Sequence, residues 1–386
     1  MGILRNPIRS PLRSPLYGPL AGKWGGGSLR PDLSIIAKYQ ALGAQAFLHD
    51  FSRTDLTFQE ATGQTLADDA GESVALALDS AQWGGKTLAQ VIASQPELFT
   101  AGTSNNASVV YSGGVATFTA SASVHGVQQT GLLTIGKTYE VTFRIVSISS
   151  GTIRGYAGSG GIGPDRTAPG TYTQRLTAAS TQTASVIAIG TTTAVVDQIS
   201  FKEIPGYHGI QSGSTGARPT RAADGKLTFD GSDDNLLTTF LLGNTANTLA
   251  MRTIFGASGG GVPLGFISTD RFYLGLNISG FLRAGYGTNG DIITGALDLR
   301  NQQGTAIVTH DASNVSLYWN GSLVGSAAVA GTHSKTIGLP LGIGRSGSTG
   351  ATGSPYLGDM YQSAAIQAAL TPTEIAQLSS YWNSLP

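Results

Sequence analysis

The chain has 386 residues, of which 54 are glycine, 12 % are Asp, Glu, Lys or Arg and none is cysteine, and its formal net charge is zero. That length supports two or three domains with a sizeable core, and 40 % hydrophobic residues exclude a chain kept disordered by charge. Zero net charge gives nucleic acid or an acidic membrane no overall attracting field, and the lack of cysteine excludes disulfides and thiolate metal sites.

The N-terminal residues form four tetrads, beginning at Arg5, Arg9, Arg13 and Tyr17, each with proline third and Ile8, Leu12, Leu16 or Leu20 fourth. Proline at every fourth position forbids a regular helix or a central strand. An extended course of roughly 50 Å, at about 3.1 Å per residue, is expected. Basic residues are unopposed by acidic ones through Arg30. A solvated tail explains the charge; the regular apolar positions between the arginines favour an arm that docks into a groove on a partner. No apolar signal region follows, so synthesis and folding in the cytoplasm, without membrane insertion, are expected.

Residues 24–29 read as a Gly-rich swivel and residues 31–47 as a short helix, with Ile35, Tyr39, Leu42 and Ala46 at helical spacing. Beyond it, stretches rich in Val, Ile, Thr and aromatics are bounded by Gly, Asn, Asp or Ser. They fall at residues 107–120, 137–147, 185–189, 195–201, 253–255, 306–310 and 315–319. Short strands at this spacing predict an all-β chain of antiparallel sandwiches. Near the C-terminus, Thr371 caps a helix with Pro372 at its first position and Glu374 completing a capping box before Ile375 and Leu378.

Three glycine patterns imitate chemistry. Gly131 to Thr138 spells a phosphate loop, but such a loop must open a helix to aim its amides at phosphates. An alternating strand follows Thr138 instead, so the segment reads as a hairpin turn. The runs at Gly158–Gly163 and Gly256–Gly260 match dinucleotide and hydrolase-elbow patterns, again with no helix after them, and read as turns. His49, His125, His208, His310 and His333 lack ligand spacing, and His310 reads as the end of a strand.

Asp230, Asp233 and Asp234 cluster on one loop. Such carboxylates suit a structural calcium; a turn whose Asp side chains cap amides is the favoured reading. No cofactor is otherwise expected. Trp83, Tyr111, Tyr156, Tyr207, Tyr273 and Tyr286 are candidate platforms on which sugar rings could stack, each weighed against an ordinary core role. No two acids sit in a setting that suggests a glycosidase pair.

The stretch from Lys226 through Phe229, Asp230 and Gly231 to Leu236 resembles the first strand of laminin-G-like, concanavalin-type jelly rolls. The resemblance continues through residues 306–311, 315–324, 339–345 and 356–359 and ends at the capped helix of residues 370–378. Upstream, residues 50–65, 74–79 and 217–220 resemble segments of phage proteins that carry this jelly roll. Residues 98–204, with marks at 133–143, 170–173 and 196–204, resemble a carbohydrate-binding-module sandwich of phage structural proteins.

The resemblance implies four parts: an arm at 1–30, a helical linker at 31–47, a jelly roll of 48–97 plus 206–386, and an inserted sandwich at 98–205. It further implies a non-enzymatic virion surface component, such as a head or tail fibre or decoration protein. Its partners would be capsid, tail or fibre-base proteins and host-surface glycans, and it would stand in several copies or as a homo-oligomer. A ligand-free spacer and a glycan depolymerase are the rival classes.

Overall fold

A computed structural model describes residues 30–158, 160–179, 182–211, 213–243, 246–267, 271–287, 291–311, 313–329, 341–345 and 355–386. The proposed anchor residues Arg5, Ile8, Arg9, Leu12, Arg13, Leu16, Tyr17 and Leu20 lie outside them, as do Ser159 and His333. Among the described residues, three α-helices, α1 (Pro31–Ala41), α2 (Leu88–Ser94) and α3 (Pro372–Ser384), accompany antiparallel sheets. The all-β expectation holds.

The first sheet orders its strands Thr220–Arg221, Leu227–Asp230, Leu357–Ile366, Asn247–Phe255, Gln303–His310, Asn314–Trp319 and Ser322–Ala328, with Ala46–Asp50 beside Leu357–Ile366. The second runs from Thr57–Phe58 and Leu76–Ala77 through Gly209–Ile210, Leu236–Leu237 and Gly342–Ile343 to the meander of residues 264–298. Between them lies one apolar core, which includes Phe47, Phe51 and Val74 together with Phe229, Met251, Leu274, Leu317 and Tyr356. Residues on both sides of segment 98–204 thus share a core, and Gly209 and Ile210 pair directly with Ala77 and Leu76.

The third sheet belongs wholly to the intervening segment and encloses its own core around Phe118, Val141, Phe143, Val186 and Phe201. Its axis is a pair of long strands, Thr138–Ala157 and Ala184–Ile204. Register shifts near Thr193 and between Asp197 and Ser200 bend them. One half of Ala184–Ile204 then pairs with Gly126–Gln129 and the other with Val115–Ser121.

Several sequence expectations change in detail. Residues 107–120 form two strands, Val109–Ser112 and Val115–Ser121, because Gly113 and Gly114 take φ of 58° and 80°, the geometry of a tight hairpin. The stretches at 185–189 and 195–201 are one strand, whose bulges interrupt the alternation. The phosphate-loop mimic is not a hairpin turn: its flanking strands lie on opposite edges of Ala184–Ile204, so the loop crosses the end of that strand.

α1 stops at Ala41, and Ala46 and Phe47 already belong to a strand. Gly43, at φ 87°, turns the chain between them. The stripe of α1 does bury on the body: Ile35, Ile36 and Tyr39 join Ile375, Leu378 and Trp382 of α3 over the outer face of the first sheet. Buried side chains of this size each stabilise the fold by about 1.5–3 kcal/mol. The Trp382 indole N–H donates to Asp32 and the Tyr39 hydroxyl to Glu374, which also accepts from Lys38. Burial would raise the Glu374 carboxyl, but Lys38, the Thr371 N–H and hydroxyl and Tyr39 together outweigh it and hold it down at about 2.

Candidate functional site

The carboxylate of Asp79 organises the place where the chain passes from the last strand of the third sheet, Ala184–Ile204, into the second sheet at Gly209–Ile210. It is fully buried and accepts the backbone N–H groups of Leu48, Ala81 and Tyr207, each at 2.8 Å. Its own N–H donates to His208 Nδ1 at 2.9 Å, leaving Nε2 of that ring to donate to the Ile204 carbonyl. Burial raises the Asp79 pKa to about 7 against the pull of the three amides and the Lys137 charge. Burial likewise lowers His208 to about 4 and its neighbour His49 to about 3. Gly206, at φ 137°, lies so close that a Cβ there would stand 2.8 Å from the carboxylate.

Two further contacts clamp the segment to the jelly roll. Arg175 donates to the Gly63 carbonyl, stacks 4.5 Å from the Phe58 ring centroid and pairs with Glu140. Lys137 stands 5.1 Å over the Tyr207 ring and 3.7 Å from Glu203, beside a bond from the Thr239 hydroxyl to the Gly136 carbonyl. The lysine of the phosphate-loop mimic therefore serves Tyr207 and the junction, and a strand follows it where nucleotide binding needs a helix.

Directly above this hub is an open cleft of about 330 Å³ lined by Gln40, Ala44, Gln45, Ala46, Gln82 and Tyr207. The last turn of α1 with the residues after it, the start of strand Ala46–Asp50, the loop after Leu76–Ala77 and the chain after Ile204 supply these residues. Tyr207 is half-buried, its ring edge-on to Phe240 at 5.2 Å. Gln45 is held by Gln367, whose amide donates to Gln45 Oε1 at 3.1 Å and to the Leu241 carbonyl at 2.7 Å. The side-chain amides of Gln40 and Gln82 have no hydrogen-bond partner among the described residues.

Of the six aromatic candidates, only Tyr207 lines this cleft. Trp83, Tyr273 and Tyr286 are each 2 % exposed and are not surface platforms. Trp83 packs with Leu88, Val91 and Ile204 and donates its indole N–H to the Pro205 carbonyl. Tyr273 lies across Gly265 and Gly285 under Arg283. Tyr286 stacks on His310, with centroids 4.1 Å apart. Tyr111 and Tyr156 are half-buried and distant in sequence from the cleft residues; Tyr111 packs on the core of residues 98–204.

Asp230, Asp233 and Asp234 do gather, with one carboxylate oxygen from each within 4.8 Å of the others. A hard cation such as calcium accepts a donor set of this kind. Asp234 accepts the Asp230 N–H, and Asp230 accepts the Ser232 N–H. These bonds build the turn without an ion. Burial, then repulsion from Asp230 and Asp233, raise Asp234 to about 6 despite its amide donor.

The glutamines have no signature in the sequence. They are scattered, uncharged and belong to no spacing rule, and only the fold gathers them.

Two separate apolar cores, each enclosed by antiparallel sheet, define a β-sandwich protein with an open cleft near Tyr207. Residues 229–376 match the family model described as Concanavalin A-like lectin/glucanases superfamily, within the part of the chain that forms the first two sheets. No curated protein matches the chain.

Among solved structures, the sialidase carbohydrate-binding module of Ruminococcus gnavus bound to α2,3-sialyllactose is 12 % identical at TM-score 0.31, covering 36 % of this chain and 84 % of the module. A pentraxin of Limulus polyphemus is 17 % identical at TM-score 0.34, covering 39 % and 79 %. A Trypanosoma rangeli sialidase is 16 % identical at TM-score 0.32, and the match covers 40 % of this chain but only 28 % of the enzyme. Superpositions this partial carry no inference about ligand or chemistry. Among the described residues, no helix is long and apolar enough to cross a membrane.

Proposed function

We propose that the chain is a non-enzymatic, lectin-like surface protein that binds glycans weakly through the Tyr207 cleft. The observation that carries this reading is the cleft itself, where an aromatic wall stands beside three glutamine amides. A sugar ring offers C–H groups to an aromatic surface and hydroxyls to amides, and concave sites with a few placed polar groups are where small ligands bind. The carboxylate beneath the cleft supports binding over hydrolysis. Asp79 is fully buried and its oxygens are spent on three amides, so it offers a substrate neither acid nor base.

In its assembly, the protein is proposed to be a bacteriophage virion component, a head or tail fibre or decoration protein. The Pro-Ile and Pro-Leu tetrads between Arg5 and Leu20 are its proposed docking arm onto other virion proteins. Display in many copies would convert weak sites into useful avidity. A glycan array probed with the intact protein and with Tyr207→Ala tests the binding reading. Wild type should retain a set of glycans that Tyr207→Ala loses; equal retention, or none by either, overturns it.

A further inference from the structure

We infer that the cleft selects an uncharged, hydroxyl-rich sugar and discriminates against acidic ones; this rests on the glycan-binding reading above. Every polar side chain that lines it is neutral: Gln40, Gln45, Gln82 and the Tyr207 phenol. Gln45 receives a hydrogen bond on its oxygen from Gln367, so it presents its NH2 group to the cleft as a donor. Gln40 and Gln82 each bring an unengaged donor and acceptor. A sugar hydroxyl both donates and accepts, so amides satisfy it fully, whereas carboxylate and sulfate oxygens only accept. Ala44, half-buried, adds a small apolar surface against which ring carbons can lie.

A site for acidic sugars would need a free cation, because a charge that loses water must be paired. Among the described residues, Lys38 and Lys137, on the elements that carry Gln40 and contact Tyr207, are already committed. Lys38 lies on α1, two residues before Gln40 and so on another side of the helix, and is bound to Glu374 at 2.5 Å. Lys137 is paired with Glu203 and stands over the Tyr207 ring.

The test presents the intact protein with immobilised neutral oligosaccharides of hexose and N-acetylhexosamine, and with the same chains bearing sialic acid or sulfate. Neutral chains should bind, with the same Kd at about 50 and about 500 mM salt, since no ion pair is there to be screened. Gln82→Ala and Gln40→Ala should each weaken binding about tenfold, the loss of a hydrogen bond or two. Binding confined to the acidic chains and falling with salt overturns the selectivity while leaving glycan binding intact. Neutral binding that neither glutamine variant weakens overturns the cleft as the selecting site. Failure to bind either set overturns both readings.

Discussion

Replacing Asp79 is the perturbation that reaches furthest into this structure. Asp79→Ala leaves the N–H groups of Leu48, Ala81 and Tyr207 buried with nothing to accept them, while the backbone N–H of residue 79 still donates to His208. At about 1–3 kcal/mol for each orphaned donor, partly offset by no longer burying a carboxylate, the expected loss is about 3–6 kcal/mol. That is a large part of the roughly 5–15 kcal/mol that holds a typical domain. Asp79→Asn discriminates, because Leu48 and Ala81 share Oδ1 and Tyr207 uses Oδ2. An amide keeps the first two bonds and turns a donor toward the third, so its cost should be about 1–3 kcal/mol. Urea unfolding followed by tryptophan fluorescence measures both, with Trp83 close to the junction as a local reporter. Two variants within about 0.5 kcal/mol of wild type, or an Asn variant as damaging as the Ala variant, would refute the hub.

Acid should weaken the same junction through His208. Its pKa falls from 6.5 to about 4 on folding, so its contribution is fully present above pH 6.5 and is lost as the pH drops through 4. Asp79, raised to about 7, acts in the opposite sense, with stability present below its ordinary 3.8 and lost as the pH rises through 7. His208→Gln should therefore lower the slope of the urea midpoint against pH between 4 and 6.5 relative to wild type; an unchanged slope contradicts the assignment. Lys137→Ala should weaken glycan binding several-fold by releasing one face of Tyr207, and Lys137→Arg should restore it, read by titration against an array-selected glycan. Segment 98–204 is proposed to be an insertion that folds alone, because its ends meet where Leu98 N–H bonds the Phe201 carbonyl and Glu97 accepts from Phe201. The excised segment, and the remainder closed by a short Gly-Ser linker, should each melt cooperatively; molten behaviour of both pieces would count against it.

Fold class was legible in the sequence because glycine-bounded, β-branched runs leave few alternatives. The C-terminal helix was legible because its capping box is local: Thr371 and Glu374 exchange the bonds their spacing implies. Bulged strands were not, since register shifts reset the alternation on which a strand is recognised. Nor was the length of Asn247–Phe255, whose first residues are buried on both faces because α1 and α3 cover the outer one. Of the candidate site, Tyr207 was visible as an aromatic, but nothing local separates it from Trp83, Tyr273 or Tyr286, which the core claims. The strand after Thr138 excluded a nucleotide role for Lys137, but its place at the junction was not legible, because its partners, Glu203 and Tyr207, lie far along the chain.

The central claim is that the Tyr207 cleft is where a sugar sits, and a crystal structure of the protein with an array-selected neutral glycan tests it most directly. The account predicts a sugar ring within about 4 Å of Tyr207, with hydroxyls bonded to the amides of Gln40, Gln45 and Gln82. A glycan bound on the sheet of residues 98–204 or on the meander of residues 264–298, with the cleft empty, would contradict it.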